Sequence, residues 1–186
     1  SLIVDTRTEN FYQTHADELF ELYGQVGPSH VKILGRVFAA THDILDVGCG
    51  TGRDCAYMLK LGKNVFGMDG SSAMLAKARQ TFEQVGLDAT DRLIEASLPD
   101  LSTFDDASFD GILCNAVLMH LPEELLFDTV YGLKRILRPG GTLLFILPET
   151  RPGIDSKTSR DAHGRLYTGL PAAKLQQNSV FLCTGN

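Results

Sequence analysis

The sequence lacks the features that mark several large classes of protein. Its 186 residues contain no run of basic residues and carry a formal net charge of −6, which argues against a sequence-independent grip on nucleic acid phosphates. The longest apolar stretch, Thr142–Leu147, is far too short to span a bilayer. The start shows no basic region followed by a long apolar one, so we predict no signal peptide. These absences favour a cytoplasmic protein without a membrane or nucleic acid partner.

The cysteines lack the spacing of a metal site or of a redox pair. No CxxC motif and no closely spaced cluster of histidines and cysteines is present. Cys49 and Cys114 lie in or beside apolar runs, and the others are Cys55 and Cys183. We therefore predict buried, reduced thiols and no bound metal.

Apolar runs of strand length recur along the chain and alternate with helical patterns. Helical spacing is found at Asp54–Lys60, Ser71–Val85 and Pro122–Leu137, after the first, second and fourth runs. This alternation predicts an α/β fold, with a doubly wound, mainly parallel sheet and helices on both faces. The predicted strands are Ile44–Val47, Asn64–Met68, Arg92–Ala96, Phe109–Cys114 and Thr142–Leu147.

Two amphipathic patterns precede the first predicted strand. They cover Phe11–Tyr23 and Ser29–Ala40 and are joined by a Gly-Pro pair. Because they come before the sheet begins, they can cover its top. We predict that residues 1–42 form a helical cap on a main domain of residues 43–186, the two making one compact domain.

The segment ILDVGCGTGRD, Ile44 to Asp54, places glycines at alternate positions directly after the first predicted strand. A backbone that passes flush against a ligand cannot carry Cβ atoms, and the helix that begins near Gly52 presents N–H groups at its start. The loop can therefore hold a phosphate or a carboxylate. A tight strand-to-helix turn without any ligand would use the same residues.

Two common nucleotide-binding motifs fit this loop poorly. The GxGxxG fingerprint needs its third glycine where this chain has Arg53 or Cys55, and no Walker GK[ST] follows. Asp69 ends the second strand, where a carboxylate would meet the hydroxyls of a ribose lying across the first strand. A nucleoside that carries a carboxylate describes S-adenosylmethionine. A nicotinamide dinucleotide is the alternative.

Five segments resemble, in order, the motifs of the class I S-adenosylmethionine-dependent methyltransferases. ILDVGCGTGRD resembles the first motif, and NVFGMDGSSAMLAKAR resembles the second with its acidic ribose ligand. LIEASLPDL resembles the third, SFDGILCNAVLMHLP the fourth, and LKRILRPGGTLLFILP the helix, turn and fifth strand that follow. The resemblance covers about residues 11–147. It implies a Rossmann-like sheet of the seven-stranded type, S-adenosylmethionine as cofactor and S-adenosylhomocysteine as product.

The resemblance places one group of residues at the methionine end of the cofactor. The glycine loop would lie under the methionine moiety, with a strand aspartate near its amino group and a backbone carbonyl from the fourth strand. An arginine would face the carboxylate or be an exposed helix-start residue, and a tyrosine of the cap would close over this end or simply pack there. These residues are Tyr12, Asp46, Gly48, Cys49, Gly50, Arg53 and Asn115.

A second group would hold the adenosine. Asp69 would accept hydrogen bonds from both ribose hydroxyls, and Gly70 and Met74 would border the adenine, although Met74 also fits plain helix packing. In the family an acidic residue after the third strand takes the adenine amino group, and here Glu95 replaces the more usual aspartate. The neighbours that would flank the ring are Ala96, Ser97 and Leu98.

A few residues are candidates for the acceptor side. His120 follows the fourth strand where the acceptor should enter, so it is the candidate general base. The alternative is a polar residue that anchors the loop before the next proline. His15 and His163 are secondary candidates, and Arg165 and Tyr167 in DAHGRLYTGLP would contact the acceptor.

The acceptor class follows from exclusion. Asn115 is followed by Ala116 and Val117, not by the Pro-Pro-aromatic motif of enzymes that methylate exocyclic base amines, and no Pro-Cys pair is available for attack on a pyrimidine. We therefore predict a small-molecule acceptor with a hydroxyl, amine or carboxylate. The alternatives are a non-catalytic domain that binds the cofactor or its product, and a nicotinamide-dependent oxidoreductase. No pattern indicates an oligomeric state.

The end of the chain departs from the family pattern. Glu149–Gly169 is predicted to be a loop, Pro171–Gln177 a short helix and Val180–Cys183 a terminal strand. The family has an antiparallel hairpin of sixth and seventh strands here. We expect these C-terminal strands to be incomplete, because the chain is truncated, a strand is lost or a partner completes the edge.

Overall fold

The computed structural model describes residues 31–115, 120–147 and 179–184, together with residues 7, 10, 13, 14, 17, 160, 163 and 165. In chain order, the helices within these ranges are α1 (Val31–Val37), α2 (Arg53–Lys60), α3 (Ser72–Gln84) and α4 (Leu126–Ile136). The strands are β1 (Asp43–Val47), β2 (Asn64–Asp69), β3 (Leu93–Glu95), β4 (Phe109–Asn115), β5 (Leu137–Leu147) and β6 (Ser179–Thr184).

These strands form one sheet in the order β3-β2-β1-β4-β5-β6. Strands β1 to β5 are parallel, and β6 pairs antiparallel with β5. The predicted mainly parallel, doubly wound fold is confirmed, and so is the terminal strand. A seventh strand is not among the described residues. Because strand order reverses at β1 and β4, a ligand cleft is expected beyond their carboxyl ends.

The strands are apolar on both faces because helices cover both sides of the sheet. Leu45 and Val47 of β1 pack in one core cluster with Leu133 and Ile136 of α4. Ile44, on the opposite face, packs in a second cluster that includes the α2 and α3 residues Cys55, Met58, Leu75 and Phe82. The alternation along β1 therefore decides that Asp46 points toward α2.

The start of the fourth predicted helix differs from the sequence-based expectation. Pro122–Leu137 was predicted as one helix, but Glu123–Leu125 form a 3₁₀ turn before α4 begins at Leu126. Pro122 has extended backbone angles and makes no side-chain capping bond. Without a capping acceptor, the first turn tightens to satisfy its own N–H groups.

The predicted stop at Arg138-Pro139-Gly140-Gly141 is retained within β5 as a bulge. Leu137 lies opposite Phe109 and Thr142 lies opposite Gly111. Residues 138–141 therefore loop outward opposite a single β4 residue, and Gly140 has a φ of 77°. The helix still ends where this segment begins.

Some predicted elements fall outside the described residues. Of Phe11–Tyr23, the structure describes Gln13, Thr14 and Asp17, which are helical. Of Ser29–Ala40, the structure describes residues 31–40, in which α1 covers Val31–Val37 and residues 38–40 form a turn. The short helix at 171–177 lies outside the described residues, as does most of the loop at 149–169. In the part of the chain that the structure describes, no helix has the length and apolar character needed to cross a membrane.

Thr129 provides a test of core packing in α4. It is fully buried, and its Oγ1 has no hydrogen-bond partner among the described residues. An unsatisfied buried hydroxyl costs about 1–3 kcal/mol, so Thr129→Val should raise the free energy of unfolding by about 1 kcal/mol. Urea unfolding measures this change.

Thr41→Val is the matched control for this substitution. Thr41 is also buried, but its hydroxyl donates to the Phe38 carbonyl oxygen at 2.9 Å. Its loss should lower the free energy of unfolding by about 1 kcal/mol. Equal effects of the two variants would contradict the claim that the Thr129 hydroxyl is buried without a hydrogen bond.

Candidate active site

The loop between β1 and α2 is built on left-handed glycines. Gly48, Gly50 and Gly52 have φ values of 69°, 53° and 77°, a region that other residues adopt only at a cost. The Cys49 N–H donates to the Met68 carbonyl at 2.9 Å, which ties the loop to the end of β2. The three glycines that the sequence analysis singled out are therefore needed for the path of the backbone.

Gly52 has a second constraint, because α3 packs against it. A Cβ at this position would stand 2.9 Å from the Ala78 Cβ and 3.1 Å from the Ala78 Cα. Gly52→Ala should lower the free energy of unfolding by about 3 kcal/mol, the left-handed cost plus overpacking. Thermal or urea unfolding measures the loss.

Gly62→Ala separates these two causes. Gly62 has a φ of 86°, but a Cβ there would meet nothing within 4 Å. Only the conformational cost of about 1–2 kcal/mol remains. If the two variants lose the same stability, the claim that α3 packs closely against the loop at Gly52 is wrong.

Asp69 joins the glycine loop to the start of α3. Its Oδ2 accepts from the Gly50 N–H and its Oδ1 accepts from the Ser71 N–H, both at 2.9 Å. The Ala96 N–H donates to the Asp69 carbonyl at 3.1 Å, so the end of β3 is held beside it. These bonds fix the direction of the carboxylate, and each carboxylate oxygen can accept further bonds from a ligand.

Asp46 is a buried carboxyl group behind the same loop. It is 2% exposed, and the Cys55 thiol donates to its Oδ2 at 3.3 Å. Burial raises the pKa of Asp46 well above its ordinary value, and the charges of Asp54 and Asp69 raise it further, while the thiol hydrogen bond opposes them. A cation in this cleft would favour the ionised form.

Asp54 and Asn115 were not predicted to act as a pair. The Asn115 Nδ2 donates to the Asp54 Oδ2 at 3.0 Å, which links the end of β4 to the first turn of α2. Since Asp54 also acts electrostatically on Asp46, three carboxylates, at positions 46, 54 and 69, surround the loop. The site therefore suits a ligand with a positive charge.

Three cysteines, Cys49, Cys55 and Cys114, are buried and free, as predicted. A Cβ on Gly67 would stand 2.9 Å from the Sγ atoms of both Cys49 and Cys55, so this strand glycine makes room for the two thiols. Burial raises the pKa of Cys114, which keeps it a thiol. No group of histidine, cysteine or acidic residues in the described part of the chain could hold a metal.

The structure adds a residue that sequence analysis missed. The Gln13 Oε1 accepts from the Ser71 hydroxyl at 2.7 Å, and its Nε2 donates to the Ser72 hydroxyl at 3.1 Å. Asp17 forms an ion pair with Lys77 farther along α3. Gln13 is thus attached to the start of α3, next to Asp69. Polar residues such as Gln13 and Asp17 in a predicted amphipathic helix give no sequence signal of a contact with α3.

The remaining predicted residues are distributed around this loop. Met74 is buried, and its N–H donates to the Oγ of Ser71, which is the N-cap of α3. Its Cε is 3.3 Å from the place of a Cβ on Gly50, which puts it beside the loop. Gly70, Arg53, Ala96 and Ser97 are half-buried, Leu98 is buried in the core and Glu95 is exposed.

The acceptor-side candidates are only partly described. His120 and Arg165 are buried, and His163 is exposed. Tyr12, His15 and Tyr167 lie outside the described residues. The structure therefore brings together the glycine loop, Asp46, Asp69 and Asn115, while the roles of His120 and Arg165 stay predictions.

A parallel sheet with this strand order and a glycine-rich turn after β1 defines a Rossmann-like α/β domain. The chain belongs to the methyltransferase domain family, which matches residues 45–145, over half of its length. The resemblance to class I S-adenosylmethionine-dependent methyltransferases is confirmed, and S-adenosylmethionine is the cofactor of that class. The family match does not favour the oxidoreductase or the non-catalytic alternative.

Two sequence relatives are methyltransferases, in agreement with this family membership. The chain is 33% identical over 102 residues to a ubiquinone biosynthesis O-methyltransferase of Alkalilimnicola ehrlichii, covering 55% of this chain and 40% of that protein. It is 32% identical to a probable S-adenosylmethionine-dependent methyltransferase of Saccharomyces cerevisiae, covering 74% of this chain and 45% of that protein. The chain therefore spans about half the length of these relatives.

A solved structure shows the same fold. It is the 1,6-didemethyltoxoflavin-N1-methyltransferase of Burkholderia thailandensis with bound 1,6-didemethyltoxoflavin and S-adenosylhomocysteine. The TM-score is 0.65 at 20% identity, and the similarity covers 87% of this chain and 69% of that one. At this identity the comparison supports the fold alone.

Proposed function

We propose that this chain binds S-adenosylmethionine beyond the carboxyl ends of β1 and β2 and transfers its methyl group to a small molecule. The observation that carries the proposal is the Asp69 carboxylate, held by the Gly50 and Ser71 N–H groups at 2.9 Å beside a loop of left-handed glycines. A fixed carboxylate next to a bare backbone fits a ribose whose nucleoside lies against that backbone.

The donor set of the site fits both ends of this cofactor. Asp69 accepts from the ribose hydroxyls, and Met74 and Leu98 supply apolar surface for the adenine, with Glu95 near its amino group. At the other end, the loop from Gly48 to Gly50 holds the methionine tail. Asp46 and Asp54 favour the positive charge of the methionine tail. Asp46 is buried and has no counterion among the described residues, so a cationic ligand would stabilise its ionised form.

When bound, the cofactor supplies an already activated methyl group on its sulfonium. The chain must then hold an acceptor in line with that methyl and exclude water, and such positioning contributes about 7–11 kcal/mol. His120 follows β4 and is buried, so it can take the proton of an acceptor hydroxyl or amine. Arg165, also buried, and Tyr167 contact the acceptor in this proposal.

The small-molecule acceptor rests on charge and on the relatives. The chain has a net charge of −6, which disfavours a large nucleic acid. One relative is named for ubiquinone biosynthesis, and the structural neighbour has 1,6-didemethyltoxoflavin bound. The cytoplasmic location that we propose rests on the free cysteines of the described residues.

Calorimetry and a transfer assay together test this function. We expect saturable binding of S-adenosylhomocysteine and none of NADH. With S-adenosylmethionine carrying a labelled methyl group, label should pass to at least one member of a panel of small phenols, amines and carboxylic acids. Binding without transfer to any panel member would favour the non-catalytic alternative, and binding of NADH instead would reject the proposal.

A further inference from the structure

One face of α4 carries large apolar side chains in water. Phe127, Val130 and Tyr131 are 79%, 48% and 66% exposed, and their spacing of three and four residues puts them side by side. The opposite face of α4 is buried through Thr129, Leu133 and Ile136. We call Phe127, Val130 and Tyr131 the α4 stripe. Contiguous exposed apolar surface of this kind marks interaction sites.

An acidic groove lies directly beside the α4 stripe. It has a volume of about 750 Å³ and runs between α4 and the segment that follows β3. Tyr131 belongs to both the stripe and the groove. The carboxylates that line the groove are Asp100, Asp105, Asp106 and Asp128.

Arg135, the basic residue that lines this groove, already has hydrogen-bond and ion-pair partners. Arg135 pairs with Asp106 at 2.7 Å and donates to the carbonyl oxygens of Leu101 and Phe104 at 2.8 and 2.9 Å. A hydrogen bond from the Ser102 hydroxyl lowers the pKa of Asp100, which therefore stays ionised. The groove keeps a negative charge that its own lining does not neutralise.

These charges decide between the classes of occupant. An anionic membrane and a nucleic acid would both meet like charge at the rim. A second copy docked through the same face would place carboxylates against carboxylates, which is unfavourable in an isologous interface. A protein segment that combines apolar side chains with lysine or arginine satisfies the stripe and the groove together.

We infer that the α4 stripe and the adjoining acidic groove form a docking surface for a basic, amphipathic segment of a partner protein. The apolar side chains of that segment pack on Phe127, Val130 and Tyr131. Its cations lie in the groove near Asp105 and Asp128. This surface is separate from the glycine loop, so the inference does not depend on the proposed methyl transfer.

A peptide-binding experiment tests the inference. The probe is a fluorescent synthetic peptide of leucine and lysine, patterned as an amphipathic helix, and anisotropy reports its binding to the full chain. We expect saturable binding that weakens with salt. Phe127→Ala with Tyr131→Ala should weaken it at least tenfold, and Asp105→Asn with Asp128→Asn should weaken it several-fold. All four side chains are exposed, so the variants should fold, as circular dichroism checks.

Two controls distinguish peptide binding at this surface from non-specific binding. Leu61→Ala removes an apolar side chain that is 47% exposed at the end of α2 and should leave peptide binding unchanged. A peptide with glutamate in place of lysine should not bind. The inference is overturned if the stripe variant binds the lysine peptide as well as the parent chain does, if anionic vesicles bind instead, or if sedimentation shows self-association that Phe127→Ala abolishes.

Discussion

Replacing Asp69 with alanine should weaken the binding of S-adenosylhomocysteine by about 100-fold to 1,000-fold, since a hydrogen bond to a charged group contributes about 1.5–3 kcal/mol and two ribose hydroxyls are involved. The same change releases the Gly50 and Ser71 N–H groups, which the carboxylate now holds at 2.9 Å. Both losses act on the same site. Calorimetry on the folded variant measures the affinity.

Two comparison variants make this result specific. Asp69→Asn keeps the shape and one acceptor oxygen, so its affinity should lie between those of the parent and the alanine variant. Asp88→Ala removes a carboxylate that accepts from the Thr90 backbone and hydroxyl in a turn ahead of β3, and it should leave affinity unchanged. Tight binding by Asp69→Ala would contradict the proposed ribose contact.

His120→Gln should lower the turnover of methyl transfer by about 10²–10⁴-fold, the range that general base catalysis contributes. Glutamine keeps a polar side chain at this buried position but cannot take up a proton at neutral pH. The affinity for S-adenosylhomocysteine should not change. Single-turnover measurements with the acceptor found in the panel assay give the rate of the chemical step.

His42→Gln is the matched control, because His42 is exposed and precedes β1, at the end of the strand opposite the glycine loop. Its turnover should equal that of the parent. Loss of activity in His120→Gln together with a lower melting temperature would indicate a residue that anchors the loop. Unchanged turnover would reject the role of His120 as base, and methyl transfer would then proceed by positioning alone.

Much of the sheet could be predicted from the sequence, because its central strands are buried on both faces. Asn64–Met68 was predicted and β2 is Asn64–Asp69; Phe109–Cys114 was predicted and β4 is Phe109–Asn115. Runs of apolar residues between helical patterns carry this information locally. The glycine loop was predictable for a similar reason, since few other residues accept its backbone angles.

Contacts between distant parts of the chain could not be predicted. The Asp54–Asn115 bond joins residues 61 positions apart, and the Gln13–Ser71 bond joins residues 58 positions apart. Neither pair has a local pattern, because both depend on how strands and helices come together. The 3₁₀ turn before α4 was not predicted. Pro122 provides no side-chain capping bond, and the acidic residues Glu123 and Glu124 that follow it do not suffice to start an α-helix there.

The buried Asp46 carboxyl ties acid–base behaviour to occupancy of the cleft. Because its pKa is raised in the folded chain, the folded state holds a proton that the unfolded chain gives up, and stability falls as pH rises above the ordinary carboxyl range. A cationic ligand favours the ionised form, so its binding releases that proton. The affinity for such a ligand should therefore rise with pH above the ordinary carboxyl range. Binding enthalpies should also vary with the ionisation enthalpy of the buffer, a dependence that Asp46→Asn removes.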